Sequence, residues 1–345
     1  MNNVTIKDIA REAGVSVATV SRIINNKGYV STDLQQKVLR IVDDMGYYPN
    51  MMARGLKGES MKTIALLIAD ATNEYFGQIT SAIEEAIRDY GYTLFVCNSL
   101  NEQATEYNYL RLLAEKQVDG IIVNASGLNN DYIVQLSRHI PVVLLHRRIN
   151  DPAFKGDFLD ADFGSSTYEF TMDLIAKGHR KIGLISGPLF LSSAYDRYVN
   201  FQAAMRTIGV EVTQEYRYFV EGPFTCEFGY SSTQKLLTFE DPPTALIIMH
   251  CETTIGALRY MKSHNVLVPE QISFSCPGNI SHSDLFYVEP NYALPDTRAM
   301  GRRAGAMMIE RIHKENKIVN REVCYMPTSI YGNSAGLYLE KSGAS

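Results

Sequence analysis

Thr5-Ile6-Lys7-Asp8-Ile9-Ala10 and, two residues on, Ala13-Gly14-Val15-Ser16-Val17-Ala18-Thr19-Val20-Ser21-Arg22 decide how the chain begins. Thr5 to Asp8 has the form of a capping box and Gly14 is a natural stop, so residues 6–13 are expected to be helical. Ser16 then caps a second helix over about 17–25. Ile6, Ile9, Ala10, Val15, Val20 and Ile24 are spaced to bring the two helices together across a short turn. This is a helix-turn-helix pattern, in which the second helix offers its N-terminal residues to the major groove. Ser31 or Thr32 caps a third helix, striped by Leu34, Val38, Ile41, Val42 and Met45 and ended by Gly46. A helical hairpin that only packs is the competing reading of this stretch.

The next segment, Pro49-Asn50-Met51-Met52-Ala53-Arg54-Gly55-Leu56-Lys57, stops the chain and restarts it for one or two helical turns before Gly58. A helix so short, with a glycine inside it, needs a partner to form. Together with Gly-Tyr-Tyr-Pro-Asn at 46–50 and Ala-Arg-Gly-Leu at 53–56, the opening resembles the lactose/galactose repressor family of bacterial transcription regulators. Its Val-Ala pair is closest to the galactose-type and catabolite-control-type members. The resemblance implies that Val17, Ala18 and Arg22 read bases. Arg22 suits a bidentate guanine contact, whereas Val17 and Ala18 offer apolar contact only. Thr5, Ser16, Thr19, Ser21, Asn25 and Tyr47 are better placed for phosphates, with capping or solvation as the bland reading. The resemblance makes 50–60 a hinge that folds on the operator. Asn50, Ala53 and Arg54 would contact DNA there, and Leu56 would wedge into the minor groove.

Charge is divided in the same place. Residues 1–60 hold eight basic and six acidic side chains, and the remainder holds 25 and 32, for a net charge of -5 overall. A basic head on an acidic body is expected where only the head approaches phosphates. With 46% hydrophobic and 21% charged residues in 345, the composition is that of a folded protein of two or three domains. No apolar run reaches membrane-spanning length, and Met-Asn-Asn leads into a charged amphipathic stretch rather than an apolar leader. Five scattered cysteines without a CxxC motif suit a reducing cytoplasm.

From 61 onward short apolar runs alternate with helical stretches. Thr63–Ala69, Tyr92–Cys97, Asp119–Val123 and Val142–Leu145 are the first series of strands. Ile79, Ile83, Ala86, Ile87 and Tyr90 stripe its first helix, and Leu110, Leu113 and Ala114 its second. A second series places strands at 181–186, 216–220, 245–249 and 272–276, with helices near 166–177, 196–208, 227–238 and 252–263. The expected fold is α/β: an all-α helix-turn-helix head (1–49), a hinge (50–60), and a two-lobed core (61–345) built on parallel sheets. Lobe 1 would take about 61–161 and 292–325, and lobe 2 about 162–291 and 326–345, with hinge strands near 161, 291 and 325. Gly178-His179-Arg180-Lys181-Ile182-Gly183 and Met300-Gly301-Arg302-Arg303-Ala304 stand where the family's signatures belong. They imply its periplasmic-binding-protein-like core.

Ligands of such cores sit at the carboxyl ends of the strands. Asp70, Asn73, Tyr75 and Phe76 follow the first strand, Asn124 and Ser126 the third, and His146 with Arg147 the fourth. Asp162 opens lobe 2, and Arg197 heads an Arg-x-x-Asn-Phe that resembles the family's Arg-x-x-Gly-Phe. The resemblance gives Asp162 and Arg197 the effector's polar groups, against a plain ion pair as the alternative. His250-Cys251 replaces the family's usual Asn-Asp, Ser275-Cys276-Pro277-Gly278-Asn279 its Gly-Phe-Asp-Asp, and His146 a common Asp. A thiol cannot grip sugar hydroxyls as a carboxylate does, which argues against a free monosaccharide effector at His250, Cys251 and Asn279. A metal or redox site from His250, Cys251, Cys276 and His282 has no diagnostic spacing, and inert buried cysteines are preferred; no cofactor or metal is expected.

No P-loop, GxGxxG or GxSxG motif accompanies these strands, which weighs against an enzyme. A solute-binding protein would explain the core but not residues 1–60. The reading is an effector-controlled repressor, by resemblance of carbohydrate-related genes. It would act as a two-fold homodimer on a pseudo-palindromic operator in double-stranded DNA, with the dimer surface expected from helices such as 75–90 and 252–263. A protein co-regulator in place of the small ligand is the alternative.

Overall fold

The computed structural model describes residues 4–24, 29–47, 60–314 and 317–338. The chain divides into two compact units, 1–61 and 62–345. In the first unit, α1 (Ile6–Ala13), α2 (Val17–Ile24) and α3 (Thr32–Asp44) enclose a small core of Ile9, Ala10, Ala13, Val20, Ile23 and Val38. Thr5 donates both its backbone N–H and its hydroxyl to the Asp8 carboxylate, at 3.0 and 2.7 Å. Gly14 ends α1 in the left-handed region (φ 70°), which lets the Val15 N–H reach back to the Ala10 carbonyl. Lys37 on α3 donates to the Ala13 carbonyl at 3.1 Å and so ties the third helix to the C-terminus of the first.

The second unit holds two six-stranded sheets. The first lobe runs β1 (Thr63–Ile68), α4 (Glu74–Arg88), β2 (Thr93–Asn98), α5 (Gln103–Glu115), β3 (Gly120–Val123), α6 (Asn130–Ser137), β4 (Val142–Leu145) and β5 (Gly156–Ala161). The chain then builds the second lobe: α7 (Phe163–Ala176), β6 (Ile182–Ser186), α8 (Ser192–Arg206), β7 (Phe219–Glu221), α9 (Cys226–Leu237), β8 (Ala245–Ile248), α10 (Cys251–Ser263), β9 (Ser273–Cys276) and β10 (Asn291–Leu294). It returns to the first lobe for α11 (Thr297–His313) and β11 (Glu322–Tyr325), and ends in the second with β12 (Thr328–Ile330). The sheet orders are β11-β5-β4-β3-β1-β2 and β12-β10-β9-β8-β6-β7. Three crossings therefore join the lobes, after Ala161, Leu294 and Tyr325.

Strands β1, β3, β4 and β8 are buried along their whole length, as parallel strands covered on both faces must be. Helices α4 and α11 approach closely because Gly301 and Gly305 lie opposite Ala82 and Ala86. A Cβ at Gly301 would stand 2.6 Å from Ala82 Cβ and from the Ile79 carbonyl.

Several expectations are corrected in detail. β12 pairs antiparallel with β10, so the second sheet is mixed. The chain enters β12 directly from the other lobe, without the crossover that a parallel neighbour needs. Leu294 still belongs to the second sheet, so the crossing lies a few residues after the expected 292. The expected strand at 216–220 shrinks to Phe219–Glu221. Tyr216 and Tyr218 instead donate their hydroxyls to the carbonyls of Ile182 and Asp241.

Candidate effector cleft and DNA-facing surface

On the head, Ser16 accepts from the Thr19 backbone N–H at 3.1 Å and shares a hydroxyl contact with Thr19 at 2.9 Å, which fixes the start of α2. The amphipathic spacing sends Val20 and Ile23 inward and leaves Val17, Ala18 and Arg22 exposed together on the outer face. Thr5 is exposed, Ser21 half-buried, and Tyr47 packs on the head core, its N–H bonded to the Val42 carbonyl. The sites expected at Asn25, Asn50, Ala53, Arg54 and Leu56 lie outside the described residues.

In the second unit a cavity of about 110 Å³ opens where the carboxyl ends of both sheets face each other. The first lobe supplies Asp70, Asn73, Tyr75, Phe76, Asn124, His146 and Arg147 to its wall, and the second supplies Arg197, His250, Cys251 and Asn279. Two expected residues do not reach it. Asp162 caps α7, its two carboxylate oxygens accepting from the Ser165 N–H at 2.8 Å and the Ser165 hydroxyl at 2.6 Å. Ser126 is buried behind the wall, its hydroxyl donating to Glu106 at 2.7 Å. Both are consumed by local structure: a helix start needs an acceptor, and a buried carboxylate needs donors.

Each polar group of the first-lobe wall is set by a neighbour. Asp70 accepts from the Thr72 N–H and hydroxyl at 2.8 and 2.7 Å. Asn73 caps α4 through the Tyr75 N–H, and its amide donates across the cleft to Cys251 Sγ at 3.5 Å. Tyr75 Oη meets His146 Nε2 at 2.8 Å, and His146 Nδ1 meets Asp160 at 2.9 Å. His146 itself sits at φ 61°, in a tight turn closed by the Arg147 N–H on the Leu145 carbonyl at 2.7 Å. That is a strained conformation for a residue with a Cβ, and strain of this kind collects at functional sites. Arg147 is held by Asn101 Oδ1 and the Ala125 carbonyl, both at 2.7 Å.

The second-lobe wall is different in chemistry. Arg197, in the second turn of α8, donates Nη1 to the Met249 carbonyl at 2.7 Å and lies over the Phe163 ring at 4.7 Å. His250 is the N-cap of α10 and accepts from the Glu252 N–H through Nδ1 at 3.3 Å, a role open only to the neutral imidazole. Burial, with Arg197 and Arg147 adding their positive fields, lowers its pKa to about 3. The Phe224 ring lies against it, tilted by 30° with centroids 4.6 Å apart. Burial pushes the thiols of Cys251 and Cys276 up to about 11 and 12, so both are protonated and unreactive at neutral pH. Among the described residues no group of three or more His, Cys, Asp or Glu is arranged to hold a metal ion.

Asn101, Phe163, Ser193, Phe224 and Met249 also line the cavity and escaped the sequence reading. Two carried a usable signal: Asn101 follows the end of β2, and Phe224 sits in the Gly222-Pro223-Phe224 turn after β7. Asp160, on β5, favours the charged form of Arg197 through its field, while its hydrogen bonds go to His146 and the Ala161 N–H.

Comparison with known proteins agrees with this architecture. A family described as periplasmic binding proteins and the sugar-binding domain of the LacI family matches residues 61–326, and one described as bacterial regulatory proteins of the lacI family matches 5–50. The HTH-type transcriptional repressor PurR of Haemophilus influenzae (strain PittEE) is 34% identical over 318 residues, covering 91% of this chain and 93% of that protein. Its namesake from Photobacterium profundum is 32% identical over 314 residues, covering 90% and 93%. Among solved structures, the lac repressor dimer bound to operator and the anti-inducer ONPF superposes with a TM-score of 0.79 at 21% identity, covering 97% of this chain and all of that one. The transcription regulator CcpA of Lactococcus lactis gives 0.70 at 23%, covering 79% and 98%. With both of its units matched in order and a relative aligned over nine-tenths of its length, the chain belongs to the LacI family of bacterial regulatory proteins.

Proposed function

We propose that this protein is a sequence-specific transcription repressor whose hold on operator DNA is set by a small molecule bound between the two lobes. The observation that carries the reading is the exposed trio Val17, Ala18 and Arg22 at the front of a capped second helix. Such a surface presents base-reading groups without spending them on the fold. The relatives are named as transcriptional repressors, which supports the direction of regulation. The protein acts in the cytoplasm, where its DNA is, and performs no catalysis. No helix of the described residues is long and apolar enough to cross a membrane.

A single head contacts too little DNA for useful specificity, so the active form is a two-fold homodimer on a pseudo-palindromic site. Ile255, Leu258, Leu285 and Tyr287 line an apolar groove beside α10, and Phe95 and Val96 lie exposed on β2. These surfaces support self-association through the core. Closure around a ligand shifts the lobes about their three crossings, and a few kcal/mol of differential affinity is enough to move such an equilibrium.

Mobility shift on palindromic DNA at two salt concentrations tests the reading. Arg22→Ala is expected to cost about 1–3 kcal/mol on operator and to leave non-specific binding nearly intact. Equal losses on operator and random DNA would place Arg22 on phosphate, and no shift at either salt would remove the DNA-binding function. Sedimentation of a monomer alone at micromolar concentration, with operator and without, would remove the dimer.

A further inference from the structure

We infer that the effector of this cleft is a small organic anion, its negative head between Arg147 and Arg197 and its body against Phe76 and Phe224. The inference rests on the effector-cleft reading above and adds the ligand's chemical class. Arg147 and Arg197 are 7% and 8% exposed. Among the described residues neither forms an ion pair with a carboxylate, and the bonds found for them end on neutral acceptors: Asn101 Oδ1 and the carbonyls of Ala125 and Met249. Arg197 Nε is buried with no hydrogen-bond partner at all.

The nearby carboxylates are spent elsewhere. Asp160 serves His146 and the Ala161 N–H, Glu106 serves Ser126 and Asn129, and Asp70 serves Thr72. The second-lobe wall beside Arg197 offers a neutral imidazole and a neutral thiol. The two guanidiniums also oppose one another, and burial first, then the field of Arg197, lowers the Arg147 pKa to about 10 despite Glu106. Asp160 and Glu106 act on these guanidiniums only through their fields, without a hydrogen bond, and a ligand that brings a directly paired negative charge recovers more of the cost of burial. A neutral sugar would leave it in place. Asn124 adds a second requirement. Its Nδ2 donates to the Leu145 carbonyl at 2.9 Å, while its buried Oδ1 accepts from nothing. The ligand therefore also carries a hydroxyl or N–H donor. The guanidinium edge accepts either a carboxylate or a phosphate head.

The test is calorimetric titration of the full-length protein with matched pairs of probes: glucuronate against glucose, benzoate against benzamide, and glucose 6-phosphate against glucose. At least one acid is expected to bind saturably and at least tenfold more tightly than its neutral partner, with the carboxylate and phosphate arms identifying the head. Arg147→Met and Arg197→Met should each abolish the preference, whereas Arg197→Lys should keep part of it; circular dichroism and a cooperative thermal unfolding transition of each variant check that it has folded. A neutral partner that binds as tightly as its acid would overturn the charge assignment while leaving the effector cleft in place. No saturable binding by any acid would likewise overturn it. In that case the cleft reading is judged apart, by whether any dialysable fraction of cell extract changes operator affinity in the unaltered protein but not in Arg197→Met.

Discussion

In the first lobe the returning strand β11 is fastened by ion pairs, and in the second lobe β12 is fastened by hydroxyl hydrogen bonds, Ser329 and Tyr331 donating to Glu169 at 2.7 and 2.6 Å. Asp157 on β5 is fully buried and accepts from Arg311 at 2.6 Å and from Arg321 at 2.7 Å, and Arg321 also meets Glu310. Burial alone would raise the Asp157 carboxyl, but the bonds from the two arginines hold it below its usual range. At the matching place in the second lobe, Ser334 donates to the Phe274 carbonyl at 2.7 Å and accepts from the Asn291 N–H at 2.8 Å. Asn291 in turn accepts from the Gly332 N–H at 3.0 Å. The same topological problem has one solution by arginine–carboxylate pairs and one by hydroxyl hydrogen bonds. The contrast shows what a buried arginine bonded to a carboxylate looks like in this molecule, whereas the bonds found for Arg147 and Arg197 end on neutral acceptors.

The comparison predicts unequal costs for single changes. Arg311→Met leaves a buried carboxylate with Arg321, a partly exposed partner, and should cost about 3–5 kcal/mol by urea unfolding. Adding Asp157→Leu should recover much of that loss, and a double variant no more stable than Arg311→Met would break the ionic account. Next come the helix pairs. A Cβ at Gly256 would stand 1.9 Å from the Cys226 carbonyl, against 2.6 Å for the nearest atoms at Gly301. Each Gly→Ala change should cost about 1–3 kcal/mol, the second-lobe change more. If Gly301→Ala proves the worse, backbone proximity is not what limits these pairs.

Ser334→Ala should cost less than Arg311→Met, about 1–2 kcal/mol, because it unpairs neutral groups. The smallest effect at neutral pH is expected from His250→Asn, since asparagine caps a helix as well as a neutral imidazole does. Below pH 6.5 the two proteins should part. Unfolded His250 gains its proton near 6.5, but in the fold it does so only near 3. The native protein should therefore lose stability as pH falls through that window, at up to about 1.4 kcal/mol per pH unit from this group, and the variant should lose less. Parallel stability profiles from pH 7 to 4 would show that His250 is not buried as a neutral cap.

Much of this was legible because it is local. Thr5 with Asp8, the stop at Gly14 and Ser16 before an apolar period give the head its helices from short-range hydrogen bonding and side-chain periodicity. Alternating apolar runs likewise give the core its strands, and strand ends give most of the cavity wall, since loops after parallel strands gather at one edge of a sheet. What the tertiary structure decided is where a side chain spends its hydrogen bonds. Asp162 and Ser126 have suitable chemistry and stand next to strand ends, yet one caps α7 and the other serves Glu106. Phe224 and Asn101 stand after strand ends, a signal the sequence does carry, but the loop paths that bring them into the cavity are set by packing. The partner of β12 was equally hidden, because strand pairing across a sheet depends on where the chain returns after crossing between lobes. The bonding of Arg147 and Arg197 to neutral acceptors belongs to the same class. A sequence states that an arginine is present, but only packing determines whether a carboxylate lies within its reach.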